Sequence, residues 1–204
     1  MEDVGYISSI NRHERVYRYQ LANGRMVLVV LAQVGAPACV GDFEELGARG
    51  VRNFIVLGSC GVLKPEHKAD QIILPATAIR DEGTSYHYAA PSDTIALQPG
   101  DLQLMQDVLR AADVPYTVAT TWTTDAFFRE TAQKLATRLA QGAEVVDMEA
   151  SALMAWSQWR GFHLYQFFYT ADELTDAGWH HRKDERVRDV NDFFHVAELI
   201  AVAI

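Results

Sequence analysis

A chain of 204 residues, 49% hydrophobic and 22% charged, has the size and balance of a globular protein with a buried core. Its formal net charge of −9 excludes broad binding to nucleic-acid phosphates, and leaves a small anion to be held only by a local cluster of donors. No apolar run approaches the roughly 20 residues that span a bilayer, and Met1-Glu2-Asp3-Val4-Gly5 lacks both the basic start and the apolar stretch of a signal peptide. The expectation is a cytoplasmic protein that engages neither membrane nor nucleic acid. Cys39 and Cys60 cannot build a disulfide framework, and no Cys-x-x-Cys pair suggests structural zinc.

In chain order, Arg15 to Leu21 and Met26 to Ala32 read as strands separated by the Asn23-Gly24 turn. Pro37 to Gly50 follows as a helix, with proline near its start and glycine at its end. Phe54 to Leu57 is a buried-type strand, Gly58-Ser59-Cys60-Gly61 the loop after it, and Ile72 to Ala78 another strand. The second half repeats the pattern. Leu102 to Ala112 is helical, Tyr116 to Thr121 extended and Glu130 to Gln141 helical. A short strand from Glu144 to Asp147 runs into a helix from Glu149 to Arg160; His163 to Thr170 is a strand and Glu185 to Ile204 the closing helix. Such alternation predicts one domain with a largely parallel sheet covered by helices. Ligands of such sheets bind beyond the carboxyl ends of the strands. Four polar clusters fall there: Gly58 to Gly61, Thr123-Thr124-Asp125, Asp147 to Glu149, and Asp172-Glu173.

Each cluster has two readings. Gly58 to Gly61 offers backbone N–H groups and a hydroxyl for an anion-binding nest, or is a tight turn with a buried cysteine. Its spacing is not that of a nucleophile elbow, and a Cys60 nucleophile paired with His163 or His195 is disfavoured. Asp147-Met148-Glu149 places two carboxylates around a thioether at a strand-to-helix junction. Capping explains Asp147; the whole arrangement also suits a sugar, whose hydroxyls a carboxylate accepts while the thioether packs on the ring. Asp172 is a second functional carboxylate or a cap. His180-His181 near Asp184 and Glu185 matches no trusted zinc spacing and reads as a solvated turn; no metal is expected.

From about Glu14 to Asn191 the chain resembles the nucleoside phosphorylase superfamily, which includes purine nucleoside and uridine phosphorylases. The resemblance runs through Val34-Gly35-Ala36-Pro37, Glu44-Glu45-Leu46, Gly58 to Gly61 and Arg80 to Tyr88, then Thr123 to Thr131, Asp147 to Ser151 and Thr170-Ala171-Asp172. It implies a three-layer α/β/α fold with a central, largely parallel mixed sheet, and a homodimer or larger homo-oligomer with sites at an interface. By the same resemblance Glu149 matches the glutamate on the ribose 2′- and 3′-hydroxyls and Met148 the methionine beneath the sugar. Phe127, Thr123 and Arg129 fall at the base pocket, and Gly58 and Ser59 on the phosphate loop. Asp172 matches the acid that protonates a departing purine, and Arg186 its helical arginine partner.

The implied activity is phosphorolysis of a nucleoside, purine before uracil, with phosphate as co-substrate and no cofactor. An acid paired with Arg186 is, however, held ionised, which argues against a standing proton. The departures gather at the phosphate end. The residues present begin near the family's second strand, without the Gly-Asp-Pro loop and its arginine. Val56 stands where an arginine is expected, Gln33 where a glycine is, and Ala171 where a serine precedes the acid. Arg12, His13 or Arg15 is a candidate replacement cation from a neighbouring subunit. Nucleoside hydrolysis by water, or a non-catalytic nucleoside-binding subunit, are the alternatives.

Overall fold

In the computed structural model, which describes residues 1–8, 13–182 and 187–204, the alternating pattern folds into two sheets. Glu2–Ser8 (β1), His13–Gln20 (β2) and Met26–Val30 (β3) make a separate antiparallel sheet in that order. The sequence pattern does not foresee β1, because Ile7 is its one buried residue and no apolar alternation marks it.

The central sheet takes Asn53–Val62 (β4), Ile72–Asp81 (β5), Thr94–Ala96 (β6), Tyr116–Thr124 (β7), Val145–Asp147 (β8), His163–Thr175 (β9) and Gly178–His181 (β10). Their spatial order is β10-β9-β4-β8-β7-β5-β6. The β4–β9, β5–β7 and β7–β8 ladders are parallel; β4–β8, β5–β6 and β9–β10 are antiparallel. β5 also pairs with β9 at Ile72 and Ile73, so the sheet curls toward closure.

Two expected strand ends move outward. Gly58 to Gly61 is no loop: β4 runs through it to Val62, because Ser59 and Cys60 find partners in Tyr169 and Thr170 of β9 while Gly61 pairs with Val146 of β8. Glycine is needed at 61, where a Cβ would stand 2.8 Å from a methyl of Val146. Asp172 likewise lies within β9, which continues to Thr175 and returns as β10.

The helices are Ala36–Ala48 (α1), Pro99–Ala111 (α2), Ala132–Ala140 (α3), Ala150–Arg160 (α4) and Val190–Ala203 (α5). α5 starts later than its apolar pattern suggests, because Asp189 and Asp192 form a reciprocal capping box there; Glu185 and Arg186 lie outside the described residues. In α4 every residue from Ala150 to Ser157 is buried, and Gly161 ends the helix in the left-handed conformation at φ 67°.

Successive side chains of β4 and β9 point to opposite faces, which gives three layers. On one face α1 and α4 close over Phe54, whose ring stacks on Phe43 at 5.2 Å and meets Trp156 edge-on at 4.9 Å. On the other, Phe193 of α5 stacks on Tyr169 at 4.4 Å. Leu135 of α3 packs in a second apolar cluster with Trp122, Ile79 and Val146. Among the described residues no helix is long and apolar enough to cross a membrane.

Phe54 is 5% exposed at the centre of the aromatic cluster. Phe54→Ala is expected to destabilise the fold by about 3–5 kcal/mol in urea unfolding. A loss below about 1 kcal/mol, far under the usual cost of such a cavity, would show that the cluster does not hold α1 and α4 to the sheet.

Candidate active site

The site is organised around Asp147, the last residue of β8, which is 5% exposed. Its Oδ1 accepts from the hydroxyls of Thr121 and Thr123 on β7, each at 2.8 Å. Its Oδ2 accepts from the backbone N–H groups of Glu149 at 2.8 Å and Ala150 at 2.6 Å. The carboxylate thus satisfies two orphan donors of the α4 N-terminus and ties that helix to the sheet. Burial pushes its pKa up, against the lowering effect of these four bonds. Thr123 Oγ1 accepts in turn from Ser151 N at 3.1 Å, and the Ser151 hydroxyl donates to Glu82 at 2.8 Å. Glu82 also accepts from Ser85 N, and Ser85 Oγ accepts from the buried Arg80. The Arg80 to Tyr88 segment is thereby bound to the same helix end. Sequence reasoning gave Asp147 as a cap but missed its threonine partners, which only the β7–β8 register brings beside it.

Glu149 is the N-cap residue of α4, with φ −136°, and is half-buried. That conformation turns its side chain away from the helix toward α1. There Oε1 accepts from Gly35 N at 2.6 Å. Gly35 is itself the N-cap of α1, at φ 93°, a value that favours glycine. Burial first, and the neighbouring Asp147 charge second, push Glu149 up to about 7. The carboxylate, which the Met148 backbone also hydrogen-bonds, keeps lone pairs to accept from a hydroxyl-bearing ligand. Met148 stands between the two carboxylates, half-buried. The thiols of Cys39 on α1 and Cys60 on β4 are both buried, and burial with carboxylate neighbours drives their pKa values upward. Neither is a nucleophile.

Asp172 pairs across the sheet with Gly61 of β4 on one side and His181 of β10 on the other. His181 Nδ1 lies 3.0 Å from Asp172 Oδ1. This partner was missed, because the Asp–His contact comes from hairpin register rather than from a motif. The expected partner, Arg186, lies outside the described residues, as does Arg12. Arg15 pairs with Asp3 inside the N-terminal sheet.

The remaining candidates are more dispersed. Ser59 is exposed and strand-bound, so the anticipated nest is not formed, and Gly58 is half-buried in the same strand. Val56 faces the helices on the same side of β4 as Phe54. Thr123 is wholly buried and committed to Asp147 and Ser151. Phe127 and Arg129 stand exposed on a short turn after β7, with the Phe127 and Phe128 rings 4.1 Å apart. Among the described residues no hydrogen bond or ring contact joins them to Glu149. Clefts of about 450 Å³ beside Leu109 and Tyr116, and about 270 Å³ beside Arg52 and Phe162, lie at the opposite end of the parallel strands from this chemistry.

The sequence profile of the Phosphorylase superfamily matches residues 1–200. The chain is similar to purine nucleoside phosphorylase DeoD-type 1 of Shewanella oneidensis, at 28% identity over 173 residues, 84% of this chain and 73% of that one. It is also similar to a uridine phosphorylase of Thermococcus kodakarensis, at 31% over 108 residues, 52% of this chain and 38% of the relative. Among solved structures, purine nucleoside phosphorylase from Toxoplasma gondii in complex with immucillin-H superposes with a TM-score of 0.80 at 21% identity, covering 96% of this chain and 80% of that one. That last likeness is one of fold.

The raised proton affinity of Glu149 has a consequence for stability. Below the ordinary carboxylate range both native and unfolded chains are protonated at this site. As pH rises toward about 7 the unfolded chain releases its proton first, so this residue's contribution to stability falls, and it levels off above about 7. Glu149→Gln keeps an acceptor for Gly35 N and removes the charge. The variant is expected to gain thermal stability relative to the parent at pH 8 compared with pH 5. A parent-to-variant difference that is the same at both pH values would show that Glu149 ionises normally.

Proposed function

We propose that this chain, which belongs to the phosphorylase superfamily, cleaves the N-ribosidic bond of a nucleoside with phosphate, giving free base and ribose 1-phosphate. Purine nucleosides are the preferred substrates. The observation that carries this is Glu149: a half-buried carboxylate at a strand-to-helix junction, held on one oxygen by Gly35 and next to Met148. Glu149 accepts from the ribose hydroxyls, Met148 packs beneath the sugar, and Asp172 protonates the departing purine. Thr123 shapes the base side from its place in the Asp147 network. Phe127 and Arg129 reach the base from the exposed turn, and Arg186 belongs with Asp172. Phosphate binds at Gly58 and Ser59; no cofactor takes part.

The chemistry follows from charge. Cleavage builds positive charge on the sugar and negative charge on the base, so an acid at the base lowers the barrier while a fixed diol holds the sugar in line. The whole chain acts as one domain. We further propose that it is a cytoplasmic homodimer or larger homo-oligomer, in which a neighbouring copy covers the open side where Phe127 and Phe128 are exposed. Hydrolysis is the second reading, favoured by neutral Val56 and by the strand geometry of Gly58 to Gly61.

Purified protein is to be assayed on inosine, adenosine and uridine with and without phosphate. Phosphate-dependent ribose 1-phosphate supports phosphorolysis; free ribose without phosphate supports hydrolysis; binding without turnover supports a non-catalytic subunit. Glu149→Ala is expected to weaken ribonucleoside binding by about 1.5–3 kcal/mol for each charge-assisted hydrogen bond lost. Asp172→Asn is expected to lower purine turnover by about 10²–10⁴-fold with a smaller effect on affinity. Unchanged kinetics in a folded Glu149→Ala variant would remove that residue from the sugar site.

A further inference from the structure

We propose that His181 supplies the proton that Asp172 delivers to the departing base. The inference deepens the phosphorolysis reading and rests on it. Its geometric basis is the β9–β10 hairpin, whose register sets His181 directly opposite Asp172 with Nδ1 and Oδ1 3.0 Å apart. Trp179, two residues earlier on the same face of β10, packs edge-on against the imidazole at 3.9 Å and fixes its orientation. The His181 side chain is 51% exposed and that of Asp172 28%. The imidazole therefore reaches solvent while its partner is turned partly inward. Among the described residues, Glu173, facing His180 across the hairpin, pairs with Arg182 at 3.2 Å, and the β4 neighbour of Asp172 is the uncharged Gly61.

The chemistry separates a histidine partner from an arginine one. A guanidinium holds a carboxylate in place but does not release its proton, so an acid paired with it alone has no source to draw on. An imidazole exchanges protons between about pH 5 and 8. In the balanced step the bond from C1′ to the base nitrogen breaks and its electron pair passes to the purine, while phosphate oxygen bonds C1′. Purine N7 takes the proton of Asp172, and Asp172 takes the Nδ1 proton of the imidazolium. The neutral imidazole is recharged from solvent through its exposed side. His181 touches no substrate; it acts through Asp172.

The test compares inosine with 7-methylguanosine, both with phosphate. The methylated purine carries its positive charge already and leaves without being protonated. His181→Gln and His181→Asn are expected to slow inosine phosphorolysis by about 10²-fold, the lower end of what general acid catalysis contributes, and 7-methylguanosine phosphorolysis by less than about 3-fold. The Asn variant matters because its amide places a donor where Nδ1 stood but cannot give up a proton. It restores inosine turnover only if the role is structural. Equal losses on the two substrates, or rescue by asparagine, would overturn the proposal. A parent active on both nucleosides whose His181 variants are unchanged would overturn it alone. A parent inactive on both would overturn the phosphorolysis reading and this proposal with it.

Discussion

A buried carboxylate accepting four hydrogen bonds is the constraint from which the site follows. Asp147 ends β8 and captures the first free N–H groups of the next helix, so α4 starts at Ala150 and Glu149 is left as its half-helical cap. Had the helix begun one residue earlier, Glu149 would project along the helix wall instead of toward α1. The cost of burying Asp147 is offset by charge-assisted bonds from two threonines and two amides. The same charge raises the proton affinity of Glu149 and of the thiols of Cys39 and Cys60. One residue thus sets helix register, side-chain direction and local electrostatics together.

The clamp extends outward through hydrogen bonds that secondary structure alone does not supply. Ser151, the second residue of α4, reaches Glu82 just after β5, and Glu82 fixes Ser85. Arg80 completes the set by donating to Ser85 and to the Ala90 carbonyl while its guanidinium lies 4.0 Å from the Tyr86 ring centroid. β5, β7, β8 and α4 are held at one end of the sheet by polar contacts. At the other end the aromatic packing of Phe43, Phe54, Trp156 and Phe162 does that work.

Local patterns in the sequence carry the features that local physics decides. Alternating apolar runs and helix caps mark the order of strands and helices, and the Asp-Met-Glu junction marks the carboxylate proposed for the sugar. Features decided by pairing are not legible. Gly58 and Gly61 suggest a turn because glycine is a poor strand former, yet β9 pairs with both and β8 holds Gly61 from the other side. His181 sits nine positions from Asp172, a spacing with no meaning until the β9–β10 hairpin folds back. β1 is legible in neither way, since six of its seven residues are exposed and its pairing with β2 follows no local motif.

Charge explains why the two ends of the site differ so much. Asp147, Glu149 and Asp172 lie at the same end of the sheet on a chain of net charge −9, which works against binding phosphate there. Many of the nearby guanidinium groups are already committed: Arg80 to Ser85 and Tyr86, Arg182 to Glu173 and the His67 carbonyl, Arg138 to Asp81. Among the described residues Arg129 is an exposed exception, without an ion pair on its turn after β7. The strand geometry of Ser59 adds a hydroxyl but no nest of amides. A proton on Glu149, favoured below about pH 7, removes one of the repelling charges. The proposed diol site draws its carboxylate from this chain, whereas phosphate affinity at the proposed Ser59 site depends on how much negative charge is neutralised there when the anion arrives.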